Sequence, residues 1–427
     1  MLRFAALLLA ICLGSGSALA QDKKPLPPGW LPVNRLDDKT PWADVRQIED
    51  KVQLYLPRGD KPVRGIFLCV VFHSGDPREV AHLWDFALVT IPWEILWDVG
   101  LPDKRSKRPT KTKLPMGDMA VILRYLEEAA RETKHPELAV APIVGWMMQG
   151  GNHHVSDLYK RAPDRIIAFV DSFENQLLKH AEILDKVPYA IAWEFGGKTG
   201  EKFRLAERDS ILPKVKDKPT PPSYLLCKAN TYGFPHGIYS KWNFFMLFLH
   251  RLIMLRLPDD LPPPGQPTKL KAIRKEDGWV GDFNPVSEWN PIAPYAQAKG
   301  MVTPIWLPDE YTAWSWRSYH SANPDLKLTA PVIEYHGPKQ GKDRKACGLG
   351  YGNVMKAGTP LTFAAETSAA YAKIEFHDGD KIVGTAEKAP WRIENIRLER
   401  GLHALFAVGV TQSGERKASR AAFLVIE

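Results

Sequence analysis

A chain of 427 residues is too long for one typical domain and comfortable for two or three, and its 44% hydrophobic content lets each bury a proper core. The formal charge of +8 favours acidic partners, but the basic run at residues 103–113 has no interleaved aromatics and no nucleic-acid module around it. That run reads as a solvated loop, and nucleic acid is excluded as a partner.

Arg3 supplies a short positive region, and residues 4–13 form an apolar run too short to span a bilayer. Small residues follow, ending in Ala18, Leu19 and Ala20, which predicts an export signal cleaved before Gln21. Cys12 is preceded by Ile11 where a lipoprotein signal wants a small residue, so no lipid anchor is expected. Of the later segments, 242–257 is the most apolar, and His250, Arg251 and Arg256 interrupt it. The expected mature chain is soluble, secreted or periplasmic, and without an integral membrane segment. Cys69, Cys227 and Cys347 have no metal-ligand spacing. Cys69, in an apolar strand, reads as a buried thiol, while a disulfide between two of the three stays open.

Residues 21–42 are rich in proline and charge and read as an extended lead-in. Residues 52–56 alternate like a half-buried strand, and 65–72 form a continuous apolar run, as a central parallel strand does. Further strands are predicted at 86–93, 141–146, 165–170, 188–193 and 223–227. Between them, helices are predicted at 117–133, where Met119, Ile122, Leu123, Leu126 and Ala130 share a face, and at 151–161, with a long apolar helix at 240–255. This rhythm predicts an α/β domain with a mostly parallel sheet and helices on both faces. A proline-rich linker, 258–267, closes it.

Residues 278–330 are dense in tryptophan (Trp279, Trp289, Trp306, Trp314 and Trp316) with poor periodicity. Residues 307–317 suggest a short helix capped by Asp309. The tryptophans serve either to pack a wrapping segment against a domain, the commoner arrangement, or to stack on sugar rings. From residue 331, short alternating runs separated by turns predict an all-β sandwich, with Asp378, Gly379 and Asp380 forming a tight hairpin. The expected organisation is therefore a signal peptide at 1–20, the lead-in at 21–42, an α/β domain at 43–258, a linker and wrapping segment at 259–330, and an immunoglobulin-like sandwich at 331–427.

The segment Gly145, Trp146, Met147, Met148, Gln149, Gly150, Gly151 lies between a predicted strand and helix, where α/β-hydrolases carry the G-x-S-x-G turn that lifts a serine above the sheet. With residues 64–76, 135–173 and 232–258, it resembles the extracellular α/β-hydrolases that carry a C-terminal immunoglobulin-like domain. The resemblance implies an α/β-hydrolase-like fold and places Met148 at the nucleophile, Trp146 at the first glycine and Gly150 at the second. A thioether cannot be deprotonated, so serine-type acyl transfer at Met148 is chemically closed. No serine lies between Ser106 and Ser156, so a small shift of alignment restores nothing. Ser156 itself reads as an ordinary helix residue.

His236 matches the hydrolase histidine, and Glu194 is the nearest acid after its strand, with Glu201 and Asp209 behind it. One oxyanion-hole N–H would come from the loop holding His73 and Ser74, and the other from Gln149. His153 and His154 are adjacent and point apart on a helix, against shared ligation. No cofactor motif and no metal cluster is present in the sequence, so neither is expected. Three readings follow: a non-catalytic hydrolase descendant that binds an ester-like or carbohydrate ligand; an active secreted esterase using His236 with an unorthodox nucleophile; and a polysaccharide-binding or adhesive surface protein.

Overall fold

The computed structural model describes residues 42–49, 52–57, 61–71, 77–92, 119–148, 152–172, 177–195, 206, 209–211, 213–215, 217–219, 223–228, 238–284, 287–302, 304–320, 325–330 and 354–427. The expected export signal lies outside them.

An eight-stranded sheet organises the first part of the chain. Its strands are β1 (Trp42–Glu49), β2 (Val52–Pro57), β3 (Gly65–Val71), β4 (Phe86–Pro92), β5 (Ile143–Met148), β6 (Ile166–Ser172), β7 (Tyr189–Phe195) and β8 (Ser223–Lys228). They lie in the order β1-β2-β4-β3-β5-β6-β7-β8. β2 runs antiparallel to β1 and β4, and every pair from β4 to β8 is parallel. Consecutive residues Ile66 to Cys69 of β3 and Ile166 to Val170 of β6 are all at most 2% exposed. Neighbouring strand residues point to opposite faces, so both faces of the central sheet are covered. That is why these strands read as unbroken apolar runs. Gly145 of β5 makes room for the Phe169 ring of β6, which occupies the place a Cβ would take.

Two helix pairs flank this sheet. Helix α1 (Pro77–Leu83) is tied to the long α4 (Ile238–Arg256) by Trp84, whose Nε1 donates to His250 Nδ1 at 3.0 Å. Helix α2 (Met119–Glu132) lies against α3 (Asn152–Arg161), with Asp157 accepting from the Met119 N–H at 2.7 Å and capping α2. Buried Met119, Ile122, Leu126, Ala129 and Ala130 make one stripe of α2, as the 3.6-residue period requires. α4 behaves differently: Phe244 to His250 are all buried, because the helix has β6 on one side and the C-terminal part of the chain on the other. A helix that is apolar all round needs such two-sided cover. At its end, buried Arg256 donates to the carbonyls of Ile166, Ile167 and Lys271, and burial lowers its pKa to about 10. No helix among the described residues is long and apolar enough to cross a membrane.

The tryptophan-dense stretch forms a small sheet, β9 (Trp279–Asp282), β10 (Ile292–Pro294) and β11 (Pro304–Leu307), followed by helix α5 (Glu310–Tyr319). Asp309 caps α5 as its spacing predicts, accepting from the Thr312 N–H at 2.8 Å. Trp306 and Trp316 are buried, and Trp279, Trp289 and Trp314 pack half-buried against the same core.

The C-terminal part is two sheets face to face. One holds β12 (Leu326–Thr329), β14 (Leu361–Thr367) and β17 (Arg392–Ile396). The other holds β13 (Val354–Met355), β20 (Ala422–Ile426), β18 (Gly401–Val410), β15 (Lys373–Asp378) and β16 (Lys381–Ala386) in that order, with β19 (Arg416–Ala418) paired to β18. The hairpin at 378–381 has a two-residue loop, Asp378 pairing with Lys381, and Gly379 takes a φ of +59° that glycine adopts without strain. Alternate residues of β18 and β20 sort cleanly. Leu405, Ala407, Leu424 and Ile426 face the other sheet, while Leu402, Ala404, Phe406, Val408, Phe423 and Val425 join the core shared with α4 and α5. The larger sheet is thus buried on both faces, one of them against the rest of the protein.

Candidate functional site

In a parallel sheet all carboxyl ends share one edge, and open α/β sheets bind ligands beyond that edge. Here the edge is formed by the ends of β3, β5, β6, β7 and β8. Met148 is the last residue of β5, in register with Ser172 of β6, and α3 begins at Asn152. The chain therefore passes from central strand to helix within three residues. Glu194 is the penultimate residue of β7, paired with Cys227. With β6 between β5 and β7, Met148 lies level with Ala192 of β7, two residues before Glu194. Gln149, His73, Ser74 and His236 lie outside the described residues, although β3 runs up to Val71 and α4 starts at Ile238.

Trp146, aligned with the first elbow glycine, is an ordinary buried strand residue paired with Cys69 and Val170. His154 and Ser156 are buried in α3, so Ser156 has no open approach from solvent. Asp209 is exposed on a short helical segment. Among the described residues no three histidine, cysteine, aspartate or glutamate side chains gather in a way that could hold a metal ion.

One acid at this edge escapes a reading from the sequence. Asp171, 1% exposed near the end of β6, is in register with Met147 and accepts a 2.9 Å hydrogen bond from the Tyr189 hydroxyl. Its burial demands such partners, because an unsatisfied carboxylate in the core is costly. The signal was present: the run Ile166 to Val170 ends on a charged residue. A charge that closes an apolar strand usually marks the strand leaving the core, which hides a buried acid.

A second group of polar side chains fixes the junction of α4, α5 and the sandwich. The Tyr311 hydroxyl donates to Asp378 Oδ1 and accepts from the Ala404 N–H at 3.0 Å. His403 Nδ1 lies 2.8 Å from Asp378 Oδ2, and its Nε2 lies 2.9 Å from the Glu399 carbonyl. Both neighbours are acceptors, so both ring nitrogens must carry protons to satisfy them. Burial opposes that charge, but the bond to Asp378 and its carboxylate field win, and the His403 pKa is raised. His250 is the opposite case. Its Nδ1 accepts from Trp84, and burial, helped by the positive charge of Arg251, lowers its pKa to about 3.

No family model matches this chain, and no curated protein does. Among solved structures, the chain is similar to a thermostable esterase at 13% identity over 46% of this chain and 58% of that one, with a TM-score of 0.30. It is similar to MGS-M1, an α/β-hydrolase enzyme from a Medee basin deep-sea metagenome library, at 13% identity over 50% of this chain and 98% of that one, TM-score 0.30. It is also similar to the fibronectin(III)-like modules of Clostridium thermocellum CbhA, at 20% identity over 24% of this chain and 93% of that one, TM-score 0.19.

Proposed function

We propose that this chain is an exported α/β-hydrolase-fold protein that has lost serine catalysis and binds an ester-like or carbohydrate ligand beyond the carboxyl edge of its main sheet. The observation that carries the reading is the position of Met148, last in the central strand β5 and four residues ahead of the first residue of α3. The strand order and the antiparallel β2 agree with an α/β-hydrolase sheet. In that fold this turn presents the nucleophile.

The parts that do not depend on a nucleophile would serve a retained pocket. The Gln149 N–H and the loop of His73 and Ser74 would donate to a carbonyl oxygen, which a binding site uses as readily as a catalytic one. His236 would face the same edge, with Glu194 or the buried Asp171 as its acid. With no nucleophile at the elbow, such a histidine binds a ligand hydroxyl or carbonyl and transfers no proton to a leaving group.

The test is turnover of short-chain aryl esters by the purified protein and by a His236→Ala variant. The reading expects no turnover that depends on His236. Ester hydrolysis abolished by His236→Ala would replace it with an active esterase.

A further inference from the structure

We propose that the corner formed by Trp289, Trp314, Arg317 and Arg416 binds an acidic saccharide, that is, a carboxylate carried on a sugar ring. The corner is built from the β9–β10 connection, α5 and β19, with no residue from the eight-stranded sheet, and the inference does not depend on the fate of Met148.

The two indoles meet edge to face, with centroids 5.7 Å apart and planes at 76°. The Arg317 guanidinium carbon lies 4.0 Å from the Trp289 ring and 4.7 Å from the Trp314 ring. Arg416 approaches the same two rings at 5.5 and 5.9 Å. Two guanidinium groups thus share one aromatic corner, attracted to the ring faces and repelled by each other.

The local charge does not balance. Glu375 is contacted by both Arg416 and Lys373, the latter at 2.8 Å. Arg317 donates through Nε to the Asn290 carbonyl at 2.8 Å, and among the described residues no carboxylate pairs with it. Its residue is 7% exposed, and burial, with the charge of Arg416 behind it, lowers its pKa to about 9. It is still a cation at neutral pH. His377, stacked on Trp314 at 5.2 Å, is neutral there because burial lowers its pKa to about 4. Lys417 pairs with Glu288 at 2.5 Å. Arg416 and Lys373 thus share one carboxylate, and among the described residues Arg317 is a buried cation with no carboxylate of its own, a costly arrangement.

A bound anion offsets that cost, and a carboxylate matches the planar guanidinium fork. Trp289, Trp314 and Arg416 are all partly exposed, so the corner is reachable from solvent. The partly exposed indoles that hold the two guanidinium groups add apolar surface beside the charge, which suits a ring that carries the carboxylate. A simple anion would use the arginines alone and gain nothing from the apolar surface beside them.

The experiment is calorimetric titration of the full chain with an oligogalacturonate, a neutral oligosaccharide of the same length, and sulfate. The expected result is saturable binding of the oligogalacturonate, at least tenfold tighter than sulfate, with no binding of the neutral sugar. Arg416→Gln and Trp289→Ala, each checked for native circular dichroism, should each weaken it at least tenfold. Should Arg416→Gln fail to fold, Arg416→Lys keeps the charge, loses the fork and carries the same expectation. Absence of oligogalacturonate binding, equal binding of sulfate or the neutral sugar, or binding indifferent to both positions would overturn the proposal and leave the corner a packing device.

Discussion

Phe406 offers the sharpest test of how the sandwich is attached. It sits in β18, 1% exposed, on the face of the sheet turned toward α4 and α5, with its ring stacked on His377 at 5.1 Å and 10°. Its neighbour Leu405, equally buried, points into the core between the two sandwich sheets. In a free-standing sandwich the outward face meets water, and Phe406→Ala would cost well under about 1 kcal/mol, as surface changes do. With the outward face buried, the change removes a fully packed aromatic and leaves a cavity, which costs about 3–5 kcal/mol. Leu405→Ala costs about 2–5 kcal/mol in either case. Against a total stability of about 5–15 kcal/mol, both are large. Urea unfolding followed by tryptophan fluorescence and by far-ultraviolet circular dichroism would measure them. The wild type should show one transition by both probes, and Phe406→Ala should lower its midpoint about as much as Leu405→Ala. Two separate wild-type transitions, with Phe406→Ala silent, would refute the two-sided sheet.

The histidines predict opposing pH effects on the thermal midpoint. His403 has a raised pKa in the folded state, so its stabilisation is full below the unfolded value of about 6.5 and is lost as pH rises through the folded pKa. The fixed groups facing it are Asp378, Glu399 O and Lys381, of which only Lys381 disfavours the charge. His250 and His377 have folded pKa values of about 3 and about 4, so each costs stability as pH falls below 6.5, where the unfolded chain takes up the proton first. Midpoints measured from pH 5 to 9 should fall on both sides, and His403→Gln should flatten the alkaline side alone; an unchanged alkaline slope would remove His403 as its source. Gly145→Ala should cost about 1–3 kcal/mol, because its methyl would press on the Phe169 ring and force β5 and β6 to shift. Wild-type stability for that variant would mean the two strands are packed less tightly there.

The strands of the main sheet were legible because two-sided burial leaves unbroken apolar runs in β3, β5 and β6, and α2 because its stripe has one free face. The Asp309 cap and the two-residue loop at Gly379 were legible as local chemistry, set by neighbours within a few residues. The three-stranded sheet of β9, β10 and β11 was not, since strands of three or four residues are too short to show a period. Nor was the pairing of β12, from the wrapping stretch, with β14 of the sandwich. The junction of Tyr311, Asp378, His403 and Ala404 joins positions up to 93 residues apart, and only the fold brings them together. Near the candidate site, β5 and β7 run two residues further than their apolar runs predict, taking in Met148 and Glu194, and Asp171 was hidden by its position at the end of an apolar run.

The most direct test of the central claim is treatment of the purified protein with a fluorophosphonate probe, followed by mass-spectrometric mapping of any labelled residue. A methionine at the elbow predicts no labelled serine, in the wild type or in His236→Ala. A single labelled serine that disappears in His236→Ala would contradict the account, moving the elbow away from Met148 and making the protein a working serine hydrolase.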